Sequence, residues 1–147
     1  MTTLETVRAF LATTFPQTKG IVERVGNLSA TVRHPVGFQE LRPGGTVSGP
    51  VLMATADLAL YVAILGTIGI VPQTVTTSLN INFLKKPAAD RDIIAVCTLL
   101  KVGKTLAVGE VALYSEGLSD HVAHAVGTYA IPKPVTTPAD KALAARQ

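Results

Sequence analysis

The sequence predicts an α+β chain in which one antiparallel β-sheet wraps a single long hydrophobic helix, with a short amphipathic helix ahead of it. Three observations carry this. From Pro50 to Pro72 the only charged residue is Asp57, so this stretch reads as a helix that must be buried nearly all round. Then comes a strict alternation. Val75, Thr77, Leu79, Ile81 and Phe83 point one way, and Thr74, Thr76, Ser78, Asn80 and Asn82 the other, which is the period of a half-buried strand. Three further strand-like runs follow. Strands joined by hairpins form an antiparallel sheet with one face to cover, and the apolar helix is the available cover.

The elements follow in order. Thr2 to Thr14 reads as a helix capped by Thr3, with Leu4, Val7, Phe10 and Leu11 on one face, ended by Pro16 and Gly20. Ile21 to His34 reads as one long strand with Val22, Leu28, Ala30 and Val32 on one face. Pro35 to Gly45 is a loop. Ser48 to Leu65 is the main helix: Ser48 or Gly49 caps it, Pro50 suits its first turn, and Gly66 and Gly69 mark its end. Ile93 to Val102 is apolar on both faces and so is a central strand. Thr105 to Tyr114 and His121 to Ile131 complete the sheet around a turn at Glu116 and Gly117. His121 and His124 then fall on opposite faces of one strand, and Cys97 is a core thiol beside Ile93, Ala95 and Leu99.

Composition sets the boundaries. The 147 residues make one domain, 1–147, with its core over 21–131 and a loose tail over 132–147. With 48% hydrophobic residues the chain is not disordered. A net charge of +3 without basic runs, and 5% aromatics without Trp, argue against nucleic acid. The single cysteine forms no internal disulfide, and no Cys/His cluster has metal-ligand spacing. No leader is read in the first 15 residues, so the expected compartment is the cytoplasm. The 50–72 stretch is also long enough to span a bilayer. A buried helix is the better reading, because Asp57 sits at the position where a membrane tolerates charge least.

The order of elements matches the hotdog arrangement, and the motifs resemble those of the hotdog-fold acyl-CoA thioesterases, in particular the PaaI-like branch. That branch carries His-Gly-Gly, seven residues, then Asp within the long helix. Here Ser48-Gly49-Pro50 is followed by seven residues and Asp57, with Gly44-Gly45 before and Leu58-Ala59 after. Leu79 to Pro87, Lys101-Val102-Gly103-Lys104, Val122 to Ala125 and Gly127-Thr128-Tyr129 also match, so the resemblance runs over Val22 to Ile131. Ser48 stands in place of the usual His, Pro50 in place of the second Gly, and Arg42 where an Asn is often found.

The chemistry centres on Asp57. A carboxylate inside an apolar helix costs several kcal/mol unless it is bonded or hydrated. It is either a structural group tied to a hydroxyl or a working base, and the resemblance implies a general base or nucleophile at a thioester carbonyl. Gly49, at the helix N-terminus, offers a free N–H for the developing oxyanion. The two are eight residues apart, about 12 Å along a helix. A nucleophile about 3–3.5 Å from one carbonyl and a donor about 3 Å from its oxygen do not span that distance. Two antiparallel helices across a dimer can pair Gly49 of one with Asp57 of the other, as the resemblance also implies. The expected assembly is a homodimer or homotetramer with shared sites. Ser48, Arg42, Tyr61, Thr76 and Thr77 are candidate substrate-binding residues, and Lys104, Lys101, Lys85 and Arg91 candidate coenzyme A-binding residues. No cofactor is expected beyond the coenzyme A carried by the substrate. Two other readings remain: a hotdog protein that binds acyl-CoA without cleaving it, and a small membrane protein spanning at 50–72.

Overall fold

The computed structural model describes residues 2–133. Helix α1 (Leu4–Thr14) is capped by the Thr3 side chain, which accepts from the Thr6 N–H, and it buries Val7 and Leu11 as its spacing predicts. Strand β1 (Ile21–Gly26) turns back into β2 (Ser29–His34). The single long strand expected over Ile21 to His34 is therefore a hairpin. Its two-residue turn is Asn27-Leu28, with Gly26 opposite Ser29 and Leu28 at φ 55°. A two-residue turn pairs odd with even positions, and a bulge at Glu23 shifts the register so that Val22 stands opposite Val32; Val22, Ala30 and Val32 therefore share the buried face while Leu28 is displaced into the turn.

The loop at 35–45 contains a short 3-10 turn (Phe38–Glu40) and leads into a small hairpin, β3 (Leu41–Arg42) with β4 (Thr46–Val47). The central helix α2 (Gly49–Ile68) follows and ends at Gly69. Four long strands complete the sheet: β5 (Val75–Phe83), β6 (Ile93–Val102), β7 (Leu106–Ser115) and β8 (His121–Ala130). All pairs are antiparallel, in the order β1-β2-β6-β7-β8-β5. β6 is central and apolar on both faces, as expected. Residues 134–147, most of the expected tail, lie outside the described residues.

The sheet curls around α2. Leu52, Ala56, Ala59, Leu60, Val62, Ala63 and Ile64 are buried in one cluster with Val32, Ile93, Ala95, Cys97, Val111 and Leu113. Burial pushes the Cys97 thiol up to about 12, so it is inert. Among the described residues α2 is the one helix long and apolar enough to cross a membrane, and here it is the core of the domain. The membrane-protein reading of 50–72 therefore gives way to the buried helix. One stripe of α2 is left open, with Pro50, Met53 and Ala54 exposed and Asp57 and Tyr61 half-buried.

Glycines let helix and sheet approach closely at Leu60. Gly109 on β7 and Gly127 on β8 are direct cross-strand partners. A Cβ built on Gly109 falls 2.8 Å from one Leu60 methyl, and a Cβ on Gly127 falls 2.4 Å from the other. Leu60 thus sits with one methyl over each glycine and cannot turn away from either. Gly127→Ala is expected to destabilise the fold by about 1–3 kcal/mol through overpacking. The same substitution in a Leu60→Ala background should cost less, because the two positions share one space. Urea unfolding of the four proteins measures both effects.

Candidate active site

Asp57 leaves the open stripe of α2 toward the ends of β5 and β8. Its Oδ1 accepts a hydrogen bond from Thr76 Oγ at 2.7 Å. The Tyr129 hydroxyl lies 2.5 Å from the same oxygen and 2.9 Å from the Asp57 main-chain carbonyl. Tyr129 is 2% exposed, and burial, followed by the bond to Asp57, pushes its ionisation far above the usual phenol value. It remains a donor at any working pH.

A bulge puts Thr76 there. Across β5 and β8, Thr76 pairs with Tyr129 and Ser78 with Thr128, which leaves Thr77 as an extra residue. The extra residue reverses the alternation, so Thr76 joins Leu79 and Ile81 on the helix side while Val75 is turned out, 56% exposed. The strict alternation predicted the opposite for Val75, Thr76 and Thr77. Thr77 instead donates to the Thr128 carbonyl at 3.1 Å and does not reach Asp57. A second bulge, at Val122, has the same effect on the histidines. His121 meets Tyr114 and His124 meets Glu110, both on the outer side of β7, so they share a face rather than opposing one another.

Asp57, Thr76, Tyr129 and Tyr61 line one cleft of about 470 Å³ between α1, α2 and the start of β5, whose other walls include Phe10, Phe15, Pro72 and Val75. The Tyr61 hydroxyl donates to the Pro72 carbonyl at 3.0 Å, and burial raises its ionisation. Its ring stands 6.4 Å from Phe10 and 6.2 Å from Tyr129. No Lys, Arg or His lines this cleft among the described residues.

Gly49 opens into a different cleft, of about 450 Å³, with Arg42, Phe83, Lys85 and Lys86. Ser48 occupies the cap position but makes no side-chain cap bond, and the first helical bond is from Leu52 N–H to Ser48 O. The Gly49 N–H precedes that bond, and Pro50 has no N–H to offer. The Gly49 end of α2 lies against Phe83, which would sit 3.3 Å from an added Cβ. Asp57 lies against Thr76, seven residues back along β5, about 23 Å at strand rise. Gly49 and Asp57 therefore do not meet within one chain.

The four basic candidates separate as well. Lys85 lies at the Gly49 end of the sheet, ion-paired with Asp120 at 2.8 Å. Arg91 donates to the Glu116 carbonyl at 2.8 Å, beside the β7–β8 turn. Lys104 borders a cleft with Ile68, Gln73 and Ile131 at the other end, and Lys101 lies on β6 nearby. Within one chain they form no single cluster. The residue that sequence reasoning missed is Tyr129. Its position two residues beyond a buried glycine on an inward-facing strand row is a signal only once the helix it faces is known.

The loop that delivers Gly49 is fixed by charge. Glu40 accepts from the Gly37 N–H at 2.8 Å and pairs with Lys19 at 3.3 Å, while its carbonyl accepts from Ser48 N–H at 2.9 Å. The Gly37 N–H first, and Lys19 after it, hold the Glu40 carboxyl below its usual range against the opposing effect of burial. Asp92 is lowered in the same sense by the Val36 N–H and then by Arg33, which also binds Glu23 and Glu116. Such a depressed carboxyl contributes stability that is complete above the ordinary glutamate value of about 4.3 and is lost as pH falls through the folded value. Glu40→Gln should therefore flatten the acid side of the stability curve below about pH 4.3, read as urea midpoints against pH.

The wrapped-helix fold, with a carboxylate on the helix and an open helix N-terminus, is that of a hotdog protein. The family model described as thioesterase superfamily matches residues 44–120, a span that holds both Gly49 and Asp57. The chain belongs to the thioesterase superfamily, whose chemistry is thioester hydrolysis. It is similar to the crystal structure of a candidate thioesterase from Silicibacter sp. TM1040, at 38% identity and TM-score 0.83, over 90% of this chain and 93% of that one. Zebra fish thioesterase superfamily member 2 shares the fold at 23% identity and TM-score 0.76, over 90% and 100% of the two chains. The E. coli PaaI protein from the phenylacetic acid degradation operon does so at 20% identity and TM-score 0.67, over 86% and 88%. A search of curated proteins returned no match.

Proposed function

We propose that the protein hydrolyses acyl-CoA thioesters in a homodimer, each site taking Asp57 from one chain and the Gly49 N–H from the other. The observation that carries this reading is the pair of separate clefts. One holds a carboxylate against apolar walls, and the other holds a free helix N-terminus among cations. Each is half of a thioesterase site.

Geometry supports joining them across a two-fold axis. Among the described residues β5 is an edge strand, paired with β8 alone, and Val75, Phe83 and Leu84 are exposed on or beside it. An edge with free backbone groups and apolar side chains is a template for a second strand. Two copies of β5 running antiparallel bring the Phe83 end of one chain beside the Thr76 end of the other. That sets one Gly49 cleft against the partner's Asp57 cleft. It also brings Arg42, Lys85 and Lys86 of one chain toward the end of the partner's sheet that carries Lys104. The cations divided within a chain are regrouped there for the coenzyme A phosphates.

In this reading Asp57 either takes a proton from water as it attacks the thioester carbonyl or attacks directly to give a mixed anhydride. The carbonyl electrons move onto oxygen, where the Gly49 N–H stabilises them, and collapse expels the coenzyme A thiolate; on the direct route water then cleaves the anhydride, releasing the acid and restoring the Asp57 carboxylate. The acyl group lies along Phe10, Phe15, Tyr61 and Pro72. With no cation in that lining, the substrates are uncharged acyl groups rather than those ending in a second carboxylate. The site uses no metal or cofactor, and the protein works in the cytoplasm.

Asp57→Asn should lower hydrolysis of a panel of uncharged acyl-CoA esters by about 10²–10⁴-fold with the fold and dimer intact. Activity at the wild-type level would remove Asp57 from the reaction, and no hydrolysis by the wild-type protein would leave an acyl-CoA binder. Complementation tests the shared site. Asp57→Asn and Gly49→Val homodimers should both be inactive, and after unfolding and refolding together they should recover about a quarter of wild-type activity. Random pairing makes half the dimers mixed, and each mixed dimer has one sound site. No recovery despite confirmed mixing would place both groups within one chain.

A further inference from the structure

Among the described residues, every side-chain hydrogen bond on the Asp57 carboxylate falls on one oxygen. Thr76 and Tyr129 both point at Oδ1, at 2.7 and 2.5 Å. The Tyr129 hydroxyl has one proton and two acceptors in reach, the second being the Asp57 carbonyl at 2.9 Å. An ionised carboxylate is the stronger acceptor, and 2.5 Å is within the range of charge-assisted O–H···O⁻ bonds. A carboxylate oxygen has two lone-pair directions, so these two donors fill Oδ1 and leave Oδ2 open.

The arrangement is rigid on both sides. Tyr129 is 2% exposed, stands on β8 between Thr76 of β5 and Ala107 of β7, and packs its ring near Tyr61. It touches both the main chain and the side chain of Asp57, and so fixes the carboxylate relative to its own helix turn. A threonine alone holds one oxygen without fixing the plane of the group.

We propose that Tyr129 is a positioning residue that pins Oδ1 of Asp57 and thereby selects Oδ2 as the oxygen that reacts. This deepens the reading of Asp57 as the working carboxylate and rests on it. A helix side chain with free torsions presents either oxygen in many orientations. With Oδ1 held, one oxygen meets the substrate carbonyl or the attacking water at a set angle, which is where displacements of about 1 Å change rates by about 100-fold.

Tyr129→Phe retains the ring and removes the donor. It should lower kcat by about 10- to 100-fold while KM stays within about twofold, the pattern of an interaction needed for the chemical step rather than for substrate binding. Tyr114→Phe, whose exposed hydroxyl meets His121 on the outer face, is the control and should keep wild-type kcat. In the wild-type protein the Tyr129 proton should give a far-downfield, exchange-protected NMR signal. That signal should vanish in Tyr129→Phe and move upfield in Asp57→Asn, where the acceptor is neutral. A kcat for Tyr129→Phe within about threefold of wild type, beside an inactive Asp57→Asn, overturns the positioning role alone. Wild-type activity in Asp57→Asn overturns the carboxylate reading and this inference with it. Should Tyr129→Phe not fold, the proton signal decides: absence of a protected hydroxyl that responds to Asp57→Asn overturns the proposal.

Discussion

Helix α2 lies low on the sheet where one cross-strand pair has no side chains. Gly109 and Gly127 leave a notch that takes both methyls of Leu60. Three residues earlier on the helix is Asp57, and two residues later on β8 is Tyr129. The height set at Leu60 is what brings a phenol on the sheet within 2.9 Å of a helix main-chain carbonyl. A close-packed part of the core and the chemistry therefore depend on the same few ångströms.

Charge organises the opposite end. The loop leading to Gly49 is held by backbone N–H groups on Glu40 and Asp92 and by the fan of carboxylates on Arg33, beside the apolar contacts of Val36, Leu41 and Val47. Thr46 adds a buried bond to the Pro87 carbonyl at 3.0 Å, tying the hairpin ahead of α2 to the segment after β5. The acidic cleft wall is thus fixed by packing and the basic one by ion pairs. This suits surfaces that meet an acyl chain and a phosphate-bearing carrier respectively.

Much of this was legible in the residues. The charge-free run around Asp57, the alternation of 74–83 and the apolar β6 specify a wrapped helix, and the spacing of Gly49 and Asp57 already separates the two groups. What stayed hidden was parity. A bulge adds one residue without changing composition, so Thr76 and Thr77 exchanged roles and the two histidines came to share a face. Gly26-Asn27 is a turn signal that a continuous apolar pattern masked. Tyr129 is reached through register: only the pairing of β8 with β5 shows that it stands opposite Thr76. The grouping of Lys85, Arg91, Lys101 and Lys104 failed within one chain because proximity to strand ends does not say which end of the sheet a residue occupies.

The burial of α2 has a consequence for how the chain is made. Residues 49–68 are synthesised before β5, β6, β7 and β8, the strands that cover most of the helix. During that interval β1 and β2 are the sheet strands available to cover it, and a twenty-residue apolar segment is long enough to be read as a bilayer span. Asp57 is its one charge and lies near its midpoint, where an aspartate disfavours insertion by about 2.5–3.5 kcal/mol. The carboxylate placed for chemistry in the finished protein is also, during synthesis, the feature that sets this helix apart from a membrane anchor.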